Sequence, residues 1–399
     1  MRSIAGKTVT ALIGAVVSVG LLSPDRARAA DEYMVNAILP MTGNASFVGV
    51  LHSATLKLAA ETMNKKGGVN GRMFQFKVYD DQTSPQVAVQ AANEILASKP
   101  AVMIGSSLVA MCNAEAPLLK NGPFTYCISP GVYPPAGSYM FSGGVATKNL
   151  LSALVSYIRN RGMTRVASIT STDATGQDIE NSFDAIFALP ENKDLKLVQR
   201  TRFTLGDLSV SAQMANIKAA NPDILIAWTT GGAIATIFKS AIQAGLDVPI
   251  ATTNGNQANM VMEQFAEFVP KTLYIPTSMF PDSEGFLKLD PRIEASQKEF
   301  YQTMKAGNLA VDYLSAGIWD AAMLTLSSVQ KLGPQATASQ VREHIASQTD
   351  LVGINGVYDF KANPQRGLDS RNALVTRWSA AEKKWVVVSG PSGEMPVRP

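Results

Sequence analysis

The chain has 399 residues, 46% hydrophobic and 17% charged, with two cysteines and two histidines. Length and apolar content suit two or three packed domains and exclude disorder, collagen-like repeats and a disulfide-knot scaffold. The 35 Lys and Arg against 32 Asp and Glu give a formal charge of +3, which raises nucleic acid or a membrane surface as partners until the excess is located.

The excess lies at the front. Arg2 and Lys7 lead into an uncharged stretch, residues 8–22, followed by Ser23-Pro24 and then Ala27-Arg28-Ala29. A basic start, an apolar run and small residues at the cut are the pattern of a bacterial secretory signal, expected to be removed after Ala29 and to send the chain to the periplasm. The run has 15 residues, fewer than the roughly 20 of a spanning helix. No cysteine follows it for lipidation and no Arg-Arg pair marks the twin-arginine route. Without Arg2, Lys7, Arg26, Arg28 and Asp25, 31 basic and 31 acidic residues remain. A neutral body with no basic stripe argues against nucleic acid.

Next come short apolar runs alternating with helix-period segments. The runs are 35–39, 74–79, 101–104, 124–128, 166–169, 224–227 and 248–251. They are continuous rather than alternating, as strands buried on both faces of a parallel sheet are. Between them Ile234, Ile237, Phe238 and Ala241 set one apolar stripe against a sheet, and Ile318, Ala322, Leu326 and Val329 do so later. Ser84-Pro85 and Asp290-Pro291 read as capped helix starts, Thr337 with Gln340 as a capping box, and Asn70-Gly71 as a tight turn before a strand. Residues 353–360, 373–378 and 385–388 read as short strands of a small antiparallel addition. Strand then helix, repeated beyond the size of one sheet, predicts an α/β fold of two doubly wound lobes.

Reactive chemistry is scarce. His52 and His344 stand 292 positions apart without metal-ligand spacing and read as surface or packing residues. Nucleophile-elbow, phosphate-loop and dinucleotide motifs are missing, and Gly231-Gly232 alone is a turn. No catalytic residue, metal or cofactor is expected. Cys112 and Cys127 admit two readings. In an oxidising compartment the pair forms a disulfide; alternatively both are buried thiols, since a helix start and a strand interior need not approach to the roughly 5.5 Å Cα separation of a bridge.

Several segments carry a family resemblance. Leu39-Pro40-Met41-Thr42-Gly43, Gly49, Asn64 with Gly67-Gly68-Val69-Asn70-Gly71-Arg72, Asp80-Asp81, Ile104-Gly105-Ser106, Ile128-Ser129-Pro130-Gly131 and Asp223-Ile224-Leu225-Ile226 occur in one order along the chain. In that order and spacing the chain resembles the periplasmic solute-binding proteins of ABC importers, of the branched-chain amino-acid type with the type I binding fold. The resemblance implies two mainly parallel-sheet lobes joined by three crossings, residues 30–148 with 277–356 and residues 149–276 with 357–399. Ligand would be trapped as the lobes close, and a monomer would deliver it to a membrane permease.

Ligands of such sheets sit beyond the strand carboxyl ends, where helix N-termini offer unpaired amides. By the resemblance, the ligand carboxylate is gripped at Val109, Ala110 and Met111 and at Gly131, Val132 and Tyr133. The family often has Ser or Thr where Val109 and Tyr133 stand, so backbone amides, with Ser107 or the Tyr133 hydroxyl, take over. The first loop's usual aromatic falls at Val48, beside Phe47, which either serves the ligand or packs locally. On the second lobe the matching positions are Thr175, Thr230 and Asn254. Amino-acid binders have an acid near the last, and a desolvated ammonium without one would cost several kcal/mol. Neutral Asn254 therefore favours an apolar monocarboxylate, with Phe280 and Phe47 flanking a ring: a benzoate or phenylpropanoate. Asp173, near Thr175, keeps amino acids open. A ligand-sensing subunit for a membrane receptor and an enzyme are the readings of other classes, the enzyme disfavoured by the missing motifs.

Overall fold

The computed structural model of the protein describes residues 32–394; the expected signal segment lies outside them. The first sheet comprises β1 (Glu32–Leu39), β2 (Met73–Asp80), β3 (Val102–Ile104), β4 (Phe124–Cys127) and β5 (Met140–Ser142), all parallel, in the order β2-β1-β3-β4-β5. Helices α1 (Ser46–Lys65), α2 (Pro85–Ala97) and α3 (Val109–Glu115) connect them. β3 and β4 are buried at every position, which is why their sequences run apolar without alternation. Asn70 and Gly71 take φ of 51° and 82°, the twin left-handed pair of a tight hairpin turn, closed by the Val69 and Arg72 backbones at 2.9 and 3.0 Å. Ser84 precedes α2 as expected, but its hydroxyl bonds Gln86 rather than capping the helix.

The second sheet follows from α4 (Thr147–Asn160) onward: β6 (Arg165–Ser171), α5 (Ala174–Phe187), β7 (Lys196–Phe203), α6 (Ser211–Ala219), β8 (Ile224–Trp228), α7 (Ala233–Gln243), β9 (Ile250–Thr252), α8 (Asn259–Gln264) and β10 (Leu273–Ser278). β7 has a largely polar sequence, as suits the edge of the sheet, and gave no apolar run. After β10 the chain returns to the first sheet with α9 (Pro291–Ala306), α10 (Tyr313–Leu332) and α11 (Ala338–Ala346); α10 packs on α1, and α11 on β4. Asp290 caps α9 through the Arg292 amide, and Thr337 with Gln340 forms the capping box.

A separate hairpin, β11 (Leu351–Gly353) and β12 (Gly356–Tyr358), is held by the buried Asp320 carboxylate, which accepts from the Ile354 and Asn355 amides at 2.9 and 3.0 Å. β13 (Ala373–Ser379) and β14 (Lys384–Val387) then join β10 antiparallel, giving the order β14-β13-β10-β9-β8-β6-β7. The antiparallel addition thus extends the second sheet. Residues 357–368 pack on the first sheet: Phe360 meets Phe141 with ring centroids 5.6 Å apart, and Arg366 donates to Val132 O at 2.6 Å. The last crossing between sheets therefore falls after Leu368 rather than at 356.

Candidate functional site

Each sheet reverses its winding once, in the first between β1 and β3 and in the second between β6 and β8. Loops leaving the strand carboxyl ends diverge at such points and leave a crevice. Between the two sheets these crevices face one another across a cavity lined by residues of both lobes, the place where small-molecule sites form in such folds.

Six expected residues line it: Ser107, Val109, Gly131, Thr175, Thr230 and Asn254. Six do not. Phe47 packs on the core, and Val48 takes the wall position beside it. Met111 and Val132 are buried at 3% and 4% exposure and face inward. Ala110, one residue further along α3 and so turned by about 100°, is not among the residues lining the wall at Val109. Phe280 stacks at a tilt on Tyr313, 6.5 Å between centroids, and Tyr313 rather than Phe280 reaches the cavity. Tyr133 lies outside the wall, lining an outer recess shared with Val109, Gly131 and Asp178.

The second lobe's wall comes from three adjacent strands. Asn254 follows β9, Trp228 ends β8 with Thr230 beyond it, and Thr175 and Asp178 lie on α5 after β6. Asn254 is 1% exposed, and its amide nitrogen, beside the Tyr313 hydroxyl, completes no hydrogen bond. Its oxygen accepts from Thr253 at 3.2 Å. A buried donor left unpaired costs about 1–3 kcal/mol, so this nitrogen marks where an acceptor belongs.

Asp178 is the acid in the wall. Burial pushes its carboxyl above the usual range, against the Thr147 and Tyr133 hydroxyls and the nearby Arg366 charge, which pull it down. Asp173, the acid considered from sequence, instead caps α5, accepting from Gly176 N at 3.1 Å. Gly131 makes room for Asp178: a Cβ there would sit 2.6 Å from Asp178 Oδ2 and 2.9 Å from a Val109 methyl.

On the first lobe, His52 is buried beneath the wall with Nδ1 2.7 Å from Ser107 Oγ. Burial pushes its pKa down to about 3, and its bond to the Leu314 backbone acts in the opposite direction, as an N–H given to a carbonyl does. The neutral ring then accepts at Nδ1, so Ser107 donates its hydroxyl to His52 and turns its oxygen lone pairs to the cavity. Behind the 130–133 loop, Arg366 is buried and donates to the carbonyls of Pro130, Val132, Gly143 and Gly144 at 3.1, 2.6, 3.5 and 3.0 Å. Cys112 and Cys127 are bridged with Cα atoms 6.1 Å apart, tying α3 to the end of β4.

Among the residues missed, Asp178 stands three positions after Thr175 on one helix face and His52 four after Val48, spacings that place each pair together. Trp228, Tyr313 and Arg366 had no such signal. Among the described residues no group of three or more His, Cys, Asp or Glu is placed to hold a metal ion, and no helix is long and apolar enough to cross a membrane.

Comparison with known proteins gives a consistent answer. A family described as periplasmic binding protein matches residues 33–383. The leucine-, isoleucine-, valine-, threonine- and alanine-binding protein of Pseudomonas aeruginosa is 37% identical over 68 residues, 17% of this chain and only 18% of that protein's length. A type 1 periplasmic binding protein of Bordetella pertussis Tohama I superposes with a TM-score of 0.76 at 21% identity, over 90% of this chain and 99% of that one. An R. palustris ABC-transporter solute-binding protein in complex with benzoate does so with 0.71 at 17%, over 90% and 96%.

Proposed function

Because the chain belongs to the periplasmic binding protein family and has the type I fold, we propose that it captures a small carboxylate, of the benzoate or phenylpropanoate type, in the cleft between its lobes. Asn254 carries this reading: its buried amide nitrogen, close to the Tyr313 hydroxyl but without a completed hydrogen bond, can donate to a ligand oxygen. The Trp228 and Tyr313 rings with Val48, Val109, Ile128 and Leu314 offer a flat apolar body its surroundings. α3 adds a helix start without a side-chain cap at the cavity wall, where first-turn amides lack internal partners. The R. palustris benzoate complex shares this fold.

Ligand binding favours the lobe-closed form by its differential affinity for that form. A periplasmic monomer, freed of its signal segment, then delivers its ligand to the membrane permease of an ABC importer. The matched family and fold are those of solute-binding proteins rather than enzymes.

A second reading, import of a branched-chain or other amino acid, rests on Asp178, an acid in the wall that an ammonium would pair with. Thermal-shift titration against benzoates, phenylpropanoates and the aliphatic amino acids separates the two. Stabilisation by the aromatic acids is expected; stabilisation by leucine or valine alone would end the first reading.

A further inference from the structure

The loops that leave β1 and β8, each beside its sheet's reversal of winding, meet next to the cavity without lining it. Asn44 lies in the first loop and Gly231-Gly232 form the bend of the second. A Cβ added to Gly231 would stand 3.0 Å from Asn44 Nδ2, and one added to Gly232 would stand 3.2 Å from Asn44 Oδ1. The Asn44 amide therefore rests against a surface kept free of side chains, at the start of α7. First-turn amides of a helix lack internal partners, and α7 has Gly232 at its cap position, with no side chain to supply one.

Both loops are braced from behind. On the first sheet, Thr42 gives its amide and hydroxyl to the Asp80 carboxylate at 3.1 and 2.7 Å, while Thr83 Oγ1 donates to Thr42 O at 2.9 Å and accepts from the Ala45 amide at 3.3 Å. On the second, buried Asn256 accepts from the Gly231 amide at 3.4 Å and donates to Thr229 O and Thr252 Oγ1 at 2.7 and 3.0 Å. Loops held in this way lose little freedom when they meet.

From this geometry we propose that Asn44 is a positioning residue for ligand capture. From the first lobe it sets an amide oxygen at the start of α7 in the second, and so favours the lobe-closed form without touching the ligand. Gly231-Gly232 then do more than turn the chain: they leave room for a side chain from the other lobe. Moving the lobes apart withdraws that side chain, so the contact acts on the open-closed equilibrium, which sets the apparent affinity of any ligand of the closed form. The inference rests on capture by lobe closure and holds for an aromatic acid and an amino acid alike.

The test compares wild type, Asn44→Ala, Asn44→Asp, Gly232→Ala and the double variant Asn44→Ala/Gly232→Ala, each shown to fold by its melt. One readout is the distance between spin labels on Lys57→Cys and Leu208→Cys, exposed positions on the two lobes; the native cysteines are bridged and take no label. The other is calorimetric affinity for benzoate and for leucine. Losing an acceptor at a helix start is worth about fivefold in an equilibrium, so Asn44→Ala should lower the closed-to-open ratio and the affinity by about that factor with an unchanged melt. Asn44→Asp keeps an oxygen at the helix start and should match or exceed wild type. Gly232→Ala, at an ordinary φ of −58°, should weaken binding. The double variant should bind no more weakly than Asn44→Ala, since among the described residues Asn44 Oδ1 is all that a Gly232 Cβ would meet within 4 Å. Label distances that respond to ligand, with populations and affinities the same in wild type and Asn44→Ala, would overturn the inference and leave capture by closure standing. A single distance in every sample, with and without ligand, would end both. If neither ligand binds, the ligand-free populations of wild type and Asn44→Ala decide: a shift toward the open distance supports the inference and identity overturns it.

Discussion

Arg366 Nη2 donates to the Val132 carbonyl at 2.6 Å from a buried position. Through one guanidinium the last segment before the final crossing is fastened to the ligand loop, at Pro130 and Val132, and to the first crossing, at Gly143 and Gly144. Because a trans peptide sets its N–H opposite its C=O, drawing the Pro130 carbonyl toward Arg366 turns the Gly131 amide away from it.

Arg366→Leu should therefore lower stability by about 3 kcal/mol or more, since several buried carbonyls lose their donors together. Arg366→Lys, with a single point charge in place of the fork, should recover only part. Urea denaturation at neutral pH measures both, and an unchanged midpoint for the leucine variant would refute the role.

Gly131→Ala should hold the lobes apart. The new methyl meets Asp178 Oδ2, across the cleft, at 2.6 Å, and the Val109 side chain of its own lobe at 2.9 Å. Ligand affinity is expected to fall more than tenfold while the ligand-free melting temperature stays within a degree or two. Combining it with Asp178→Ser should restore much of the loss, and small-angle scattering should show the alanine variant more extended with ligand present.

Breaking the Cys112–Cys127 bridge opens a loop with a sequence separation of 15. For that length the chain-entropy account gives about 3 kcal/mol. The doubly serine-substituted protein should unfold at correspondingly lower urea, and thiol titration of denatured, unreduced wild type should find no free cysteine.

His52 should make the protein acid-sensitive. Its folded pKa, about 3, lies below the ordinary 6.5 because burial disfavours the charged ring. Between those values the unfolded chain holds the extra proton, so stability falls as pH drops from 6.5 toward 3, by roughly 1.4 kcal/mol per unit. Asp312, raised from 3.8 to about 6 by burial, acts oppositely: the folded state holds the extra proton between those values, so acidification through them stabilises. The difference between wild type and His52→Gln isolates the histidine. Wild type should lose stability relative to the variant across that window, and a constant difference would show that the ring is charged or exposed.

Much of this architecture was readable in advance, for physical reasons that differ by element. β3, β4 and β8 are buried throughout, and only continuous apolar sequence serves there. β7, β5 and β10 were not among the expected runs: β7 is a polar edge, β5 has three residues, and β10 carries Pro276, Thr277 and Ser278 in half its length. Ser107, Val109, Gly131, Thr175, Thr230 and Asn254, to which the family resemblance pointed, line the cavity. Phe47, Ala110, Met111 and Val132 stand one or two positions from wall residues but do not line the cavity, Tyr133 lines the outer recess, and Phe280 packs behind Tyr313. A one-residue shift along a helix turns a side chain by about 100°, which register alone in sequence does not resolve.

Composition and order by themselves determined that this is a histidine-poor α/β body of two doubly wound sheets, because apolar runs and turn residues act locally. Only the tertiary structure brought Asp178 against Gly131 and Arg366 under Val132, residues 47 and 234 positions apart. The polarity of the cleft depends on those meetings, since a charge acts through the space around it and not along the chain.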